Sequence, residues 1–423
     1  MQRGYVVEKV GRFVGEKAGK YTGVKLKSFG RNLFTKSDRS EVVHTPEIPT
    51  DVIPTLYIHI PFCHAPLCEM CPFFRVELEK KVAEKYVRDL RTELSRHKGV
   101  PFSSVYIGGG TPATVLPALV ELVKEFGIGG KELSVEAHPS DLTEANVALM
   151  KEAGVTRLSV GVQSFDPELL ELMKRNNGRN PVENLKRAAE SFSVNADLIY
   201  NFAGQTVAQF ENDIDILVGL GISQITCYPL MAAPGEFHVV DDSRESEFYA
   251  AMLKKFAQAG YKPLTPWCFA KATDESQGEY ISSSNGDQYL GVGASAISKI
   301  GPYFTINSFN LSEYHSQVER GESAVIGIKK LNIFEDAQYF LLTGLFGMKL
   351  NLDKLTGNKA KDRLIRVEVK LLRAAKLVTV SDNTAVLTEA GMLFFSKAMK
   401  EFYTGLNFFR QKHKENAVMG VAG

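Results

Sequence analysis

From residue 56 onward the chain alternates short apolar runs with longer amphipathic stretches. Residues 56–60, 104–107, 132–136, 157–160, 194–200 and 224–228 are short and rich in aliphatic and β-branched side chains, so they read as strands. Between them, 77–97, 116–126, 143–152 and 207–220 carry helical spacing, and two further helical stretches fall within 167–191. Each strand with its helix takes about 25–40 residues, the size of a βα unit. Repeated βα units imply a parallel sheet wound as a complete or partial barrel. After residue 300 the alternation stops. Residues 334–346, 363–375 and 388–403 read as helices, and 377–380 with 385–387 as a hairpin around Ser381-Asp382-Asn383. Helices with a small hairpin suggest a compact winged-helix-like domain. The expected organisation is therefore a basic segment and linker over 1–50, a barrel over 51–300 and a helical, winged domain over 301–423.

Residues 1–40 hold ten Lys/Arg against three Asp/Glu. Val6, Val7, Val10, Phe13 and Val14 would share one face of a short basic helix. Such a segment is either a loosely ordered tail or a docking element for a membrane surface or a partner. Pro46, Pro49 and Pro54 mark a linker after it.

Composition narrows the function classes. The chain has 423 residues, 44% of them apolar, which supports a sizeable core. Its formal net charge is +1, so no global field favours nucleic acid. No apolar run reaches the length of about 18 residues that a spanning helix needs, and the N-terminus lacks an apolar signal core. A cytoplasmic enzyme or binding protein is expected.

Five cysteines are present, an odd number that suits no disulfide framework, and Cys63, Cys68 and Cys71 fall within nine residues. A tight thiol cluster in a reducing compartment more often binds metal. The loop follows the first strand, at the end of the sheet where parallel barrels place their chemistry. Three thiolates can hold three irons of a [4Fe–4S] cluster and leave the fourth open. The alternative is a zinc site completed by His59 or His64. Other strand ends carry Gly108-Gly109-Gly110-Thr111, Glu136-Ala-His138, Gly161-Val-Gln163 and Asp197. Polar groups in successive units at one end of a barrel describe one pocket. A carboxylate there can hold an amino group or ribose hydroxyls, and glycine-loop amides can take a carboxylate.

The segments YIHIPFC (57–63), IGGGTP (107–112), EAHPSDLT (136–143), RLSVGVQSF (157–165), DLIYNFAGQT (197–206) and LGVGASAIS (290–298) resemble radical S-adenosylmethionine (SAM) enzymes. The resemblance is to the oxygen-independent coproporphyrinogen III oxidase group, which includes haem chaperones and haem-degrading or methylating relatives. It implies a partial (βα)6 barrel with a helical C-terminal domain. It also implies a [4Fe–4S] cluster on Cys63, Cys68 and Cys71. Tyr57, Gly109, Gly110, Thr111, Glu136, Gln163, Arg175 and Asp197 match positions that surround SAM, and Ile297 matches one near a second SAM in some members. In the family's chemistry one electron from the cluster breaks a carbon–sulfur bond of SAM, and the resulting 5′-deoxyadenosyl radical takes a substrate hydrogen. The implied partners are a tetrapyrrole or other large organic substrate and an electron donor such as flavodoxin or ferredoxin.

Departures shape the reading. Four residues separate Cys63 from Cys68 where the family has three, and Pro66 lies among them. Met70 stands where an aromatic is common. Phe73 stands where the coproporphyrinogen oxidase has a further cysteine, and no Tyr-Thr-Ser-Tyr-Pro-like segment is present. These argue against oxidative decarboxylation of coproporphyrinogen. The leading reading is a radical SAM enzyme on a tetrapyrrole or another large organic substrate, with methyl transfer from a second SAM as one form of it. A haem chaperone that keeps the cluster is the competing reading, with Cys227 and His238 as conceivable haem ligands. A zinc-bound nucleic-acid protein is disfavoured by the neutral charge.

Overall fold

In a computed structural model, residues 47–49, 52–128, 132–231, 243–271 and 288–419 are described, with side chains to residue 411. The basic helix expected near Val6–Val14 and the candidate ligand His238 lie outside them. Six strands, β1 (Thr55–Ile60), β4 (Val105–Gly109), β5 (Leu133–Ala137), β6 (Arg157–Gln163), β7 (Ser193–Tyr200) and β8 (Gln224–Pro229), stand side by side in chain order, every neighbouring pair parallel. A sheet that never reverses its order is wound like a barrel rather than doubly wound. Described residues extend it to a twelve-stranded open sheet, so the barrel is partial. β9 (Tyr261–Pro263) and β10 (Cys268–Lys271) add antiparallel beyond β8. On the other edge β11 (Tyr289–Val292) pairs parallel with β1, and β12 (Ile297–Ile300), β13 (Tyr303–Asn307) and β14 (Val325–Lys330) follow antiparallel.

Two boundaries differ from expectation. The sheet does not stop at residue 300, because β13 and β14 continue it to Lys330. They follow β12 as an antiparallel meander, each strand paired with its neighbour in sequence, and so extend the edge that β11 opens. The helix expected over 77–97 runs Lys80–Ser95, because Val76–Glu77 (β3) pairs with Phe62–Cys63 (β2) and is held extended. Beyond the sheet, helices Ile333–Phe346 and Lys359–Ala374 and a small sheet form the winged unit. That sheet joins β15 (Lys349–Asn351) to the hairpin of β16 (Val378–Ser381) and β17 (Thr384–Leu387). Asp382 and Asn383 take φ of 47° and 52°, the left-handed pair that a two-residue hairpin turn requires. The last helix runs Glu389–Met419, well past the expected residue 403.

The strand pattern makes the cavity. On β1, Leu56, Ile58 and Ile60 face the helices and are buried, while Tyr57 and His59 face the other way and line a cavity. The same alternation puts Leu133 and Val135 of β5 under the helices and Ser134 and Glu136 in the cavity. A fully closed barrel of this kind fills its interior with packed aliphatic side chains. Here the inner face is polar and open, the composition of a ligand site. The C-terminal helix packs against the barrel's last units: Trp267 Nε1, just before β10, donates to Ser396 Oγ (2.8 Å), and Lys400 Nζ pairs with Glu245 Oε2 (2.5 Å), at the start of the helix Glu245–Gln258, in a buried ion pair. Among the described residues no helix is long and apolar enough to cross a membrane.

Candidate active site

The cysteine loop leaves β2 at Cys63 and returns at β3. Arg75 fixes its shape from within: Nη1 donates to the Cys71 carbonyl (2.8 Å) and Nη2 to the Cys68 carbonyl. The three thiols are half-buried, and all line the cavity. Donors meet two of the sulfurs: Thr111 Oγ1 lies 3.6 Å from Cys63 Sγ and Arg175 Nη1 3.5 Å from Cys68 Sγ. Burial pushes the Cys63 thiol up to about 11, so a nearby cationic centre is needed to make it a thiolate. Both imidazoles offered for zinc are committed elsewhere. His59 accepts from Tyr57 Oη at Nδ1 (2.9 Å) and donates from Nε2 to the Phe74 carbonyl (3.0 Å), and burial lowers its pKa to about 4. His64 Nε2 bonds Asp141 Oδ1 (3.0 Å). Among the described residues no three Cys, His, Asp or Glu groups gather tightly enough for one metal ion. With both imidazoles engaged, three thiols suit a [4Fe–4S] cluster, which takes one thiolate per iron and leaves one iron open, better than a structural zinc, which takes four protein ligands.

The glycine loop packs against these ligands. A Cβ on Gly110 would stand 2.6 Å from the Phe62 carbonyl oxygen and 3.0 Å from Cys63 Sγ, so only glycine lets the loop pass. Gly109 has φ of 116°, and its N–H donates to Glu136 Oε2 (2.8 Å). Tyr106 Oη donates to Glu136 Oε1 (2.9 Å). Register sets the next pair: Glu136 sits beside Ser159, and Gly161 beside Asp197. Ser159 Oγ donates to Asp197 Oδ2 (3.1 Å) and Asn195 Nδ2 to Asp197 Oδ1 (2.7 Å). Burial, and then the Glu136 charge, push Asp197 up to about 7, and burial also raises Glu136.

β6 ends in a bulge at Gly161–Gln163, where Gln163 takes φ of 69°, an uncommon left-handed conformation for a side-chain-bearing residue. Its Oε1 is buried without a hydrogen-bond partner. An orphaned acceptor beside two desolvated carboxylates suits a ligand that brings an ammonium and hydroxyl donors, as SAM does. Arg175 crosses this end, donating to the Gly161 carbonyl and to Asn177 Oδ1 (2.9 Å).

The twelve residues that the resemblance assigns to the cluster and SAM all line this one cavity of about 670 Å³, Ile297 and Tyr57 included. Its volume lies within the range of small-molecule and cofactor sites. Cys227 and Cys268 are buried in the sheet and do not line it. The glycines near Ile297 have a packing reason of their own. A Cβ on Gly291 would stand 2.3 Å from the Ile297 carbonyl oxygen, and one on Gly293 2.5 Å from Tyr86 Oη. Glu93 ties that turn down, accepting from Gly293 N (2.8 Å), Asn307 Nδ2 (3.0 Å) and Tyr314 Oη (2.6 Å). Sequence reasoning missed Arg75, Tyr106, Ser159, Asn195 and the cavity residue Arg410. Tyr106, Ser159 and Asn195 left a signal, as polar residues on the inward positions of otherwise apolar strands.

A partial barrel with three thiols, a glycine loop and paired carboxylates at one cavity is the architecture of the radical SAM proteins, and the family model described as "Radical SAM superfamily" matches residues 57–217. The chain is 32% identical over 359 residues to the heme chaperone HemW of Bacillus subtilis (strain 168), a match covering 78% of this chain and 94% of that one. It is 29% identical over 289 residues to the oxygen-independent coproporphyrinogen III oxidase of Salmonella typhimurium, covering 60% and 63%. The solved coproporphyrinogen III oxidase (HemN) from Escherichia coli shares the fold, with a TM-score of 0.69 at 23% identity over 83% of this chain and 90% of that one. The chain belongs to the HemN/HemW family of radical SAM proteins. The cofactors of that family are a [4Fe–4S] cluster and SAM.

Proposed function

We propose that the protein is a radical SAM enzyme acting on a tetrapyrrole. The observation that carries this reading is the single cavity shared by the cysteine loop, the glycine loop, Glu136, Gln163, Arg175 and Asp197. Cys63, Cys68 and Cys71 would hold the cluster. When bound, the cluster and SAM supply one-electron chemistry able to remove a hydrogen atom from a carbon. The chain's own residues do the rest. Gly109–Thr111 let backbone approach the SAM amino acid portion closely, and Glu136 and Asp197 accept from its ammonium and ribose hydroxyls. Gln163 Oε1 accepts one further donor. Arg175 holds the end of β6 against the cysteine loop, and the neutral His59 keeps Tyr57 oriented. The electron donor would be a flavodoxin or ferredoxin.

The test is product analysis. Anaerobically reconstituted protein with SAM, dithionite and haem or a porphyrin should form 5′-deoxyadenosine at a substrate-dependent rate. S-adenosylhomocysteine beside it would add methyl transfer, for which Ile297 is the candidate second-SAM contact. Carbon dioxide without S-adenosylhomocysteine would mean oxidative decarboxylation. Haem returned unaltered, with no substrate-dependent 5′-deoxyadenosine, would replace the enzyme with a chaperone, the reading favoured by the likeness to HemW.

Glu136→Gln keeps the hydrogen-bonded shape and removes the charge. Calorimetric titration of the reconstituted variant should give a SAM affinity about tenfold lower, the size of one lost charge-assisted hydrogen bond. Iron content should not change. Unaltered SAM affinity would move the pocket elsewhere.

A further inference from the structure

The helix Glu389–Met419 carries a cation into the cavity. The Arg410 guanidinium carbon lies 4.9 Å from the centre of the Phe73 ring, just beyond the cysteine loop, in a cation–π contact. Its Nη1 donates to Asn407 Oδ1 (3.1 Å). A guanidinium has five N–H donors. Among the described residues Asn407 is the acceptor it meets, and no carboxylate pairs with it. The groups nearest it electrostatically are the Tyr57, Tyr403 and Tyr289 hydroxyls and the Cys71 thiol, and burial holds its pKa below the usual range. Arg410 is half-buried, and an unpaired cation partly removed from water is costly unless it receives an anion.

The wall beside it is aromatic. Ring contacts run from Phe346 to Trp267 (4.9 Å) and from Trp267 to Tyr403 (6.1 Å). They continue from Tyr403 to Phe402 (5.5 Å) and from Phe402 to Tyr339 (6.4 Å), and all five rings line the cavity. A surface of this kind suits a flat, largely apolar ring system, with the guanidinium at its edge for an acidic substituent. Arginine suits that task because its planar fork matches a carboxylate with two parallel hydrogen bonds.

We propose that Arg410 is the carboxylate anchor of this cavity: it binds an acidic side group of a flat, apolar ligand seated on the aromatic wall, and so makes the site select acids over their neutral esters. The proposal rests on the tetrapyrrole reading above and adds the residue that sets specificity within it. It also gives the C-terminal helix a direct part in ligand recognition.

The test compares mesoporphyrin, which carries two propionates, with its dimethyl ester. Both are titrated by fluorescence into full-length, anaerobically reconstituted protein and into R410Q and R410K, with SAM affinity and Tm measured alongside. The parent should prefer the diacid. R410Q should bind the diacid about tenfold more weakly, the loss of one charge-assisted contact. Its affinity for the ester and for SAM should not change, and R410K should recover part of the diacid affinity. A parent protein that binds diacid and ester equally overturns the anchor even if R410Q does not fold. Equal diacid affinity in the parent and R410Q overturns it while leaving the tetrapyrrole reading in place. Loss of SAM affinity with diacid binding untouched assigns the guanidinium to SAM instead, and so overturns it. A parent that binds neither porphyrin overturns the tetrapyrrole reading and the anchor together.

Discussion

Replacing Cys63, Cys68 and Cys71 together with alanine is expected to take the iron of anaerobically reconstituted protein from about four per chain to none, the full content of one [4Fe–4S] cluster. The chain should stay folded. The three thiols lie on a half-buried loop outside the packed core, and its shape is held by Arg75 on backbone carbonyls rather than by the sulfurs. Replacing Cys227 and Cys268 should have the opposite profile: iron retained, and stability lowered by the small cavities left in the sheet. Iron and acid-labile sulfide, read with the visible absorption and a far-ultraviolet circular dichroism spectrum, separate the two sets. Iron that persists in the triple variant, or a parent that holds stoichiometric zinc and no sulfide, would overturn the cluster assignment. The extra residue between Cys63 and Cys68 does not alter the expectation. It falls in a loop segment, where insertions are tolerated, and Arg75 sets the loop's closure on the carbonyls of Cys68 and Cys71.

The elements of the barrel could be read from the chain because each is local. Short aliphatic runs and helical spacing repeat six times, and the polar residues that end each strand fall at one edge once the strands are parallel. The cavity inherits Cys63, Gly109, Glu136, Gln163 and Asp197 from that rule alone. What could not be read depends on pairing across the sheet. Ser159 and Asn195 serve Asp197 because β6 and β7 stand in one register. Glu93 serves the turn before Ile297 from two hundred residues away. Arg75 resembles any surface arginine until the loop closes around it. Arg410 lies on a helix that periodicity ended at residue 403, because the turns beyond it show their burial only against the barrel, as Phe409 does against Phe309. The strands past residue 300 pair antiparallel with their neighbours in sequence, β13 with β12 and β14, so they add to the sheet edge without continuing the parallel repeat that marks the barrel.

The same dependence on surroundings makes Asp197→Asn expected to stabilise the fold while weakening its ligand. Asp197 titrates at about 7 in the folded protein, against an ordinary 3.8, because burial and the Glu136 charge oppose its ionisation. Between those two values the folded state keeps a proton that the unfolded chain has released. Stability therefore falls as pH rises through this window, and above pH 7 the ionised carboxylate costs up to about 4 kcal/mol, less whatever solvent in the cavity screens. Asparagine has the same shape and can still meet Ser159 and Asn195, and it carries no charge. Urea denaturation should show the variant and parent alike near pH 4, with the variant increasingly more stable toward pH 8. SAM binding should move the other way. An ionised Asp197 accepts two hydroxyl protons, so the parent's SAM affinity should rise as pH passes 7, while the asparagine variant stays weak and flat across the same range. Stability is then given up at this position to hold a charge ready for the ligand, the exchange expected of a binding carboxylate and not of a structural one. A variant no more stable than the parent at pH 8 would show that Asp197 is not strained in the folded protein. A variant with undiminished SAM affinity would show that the charge serves some other ligand.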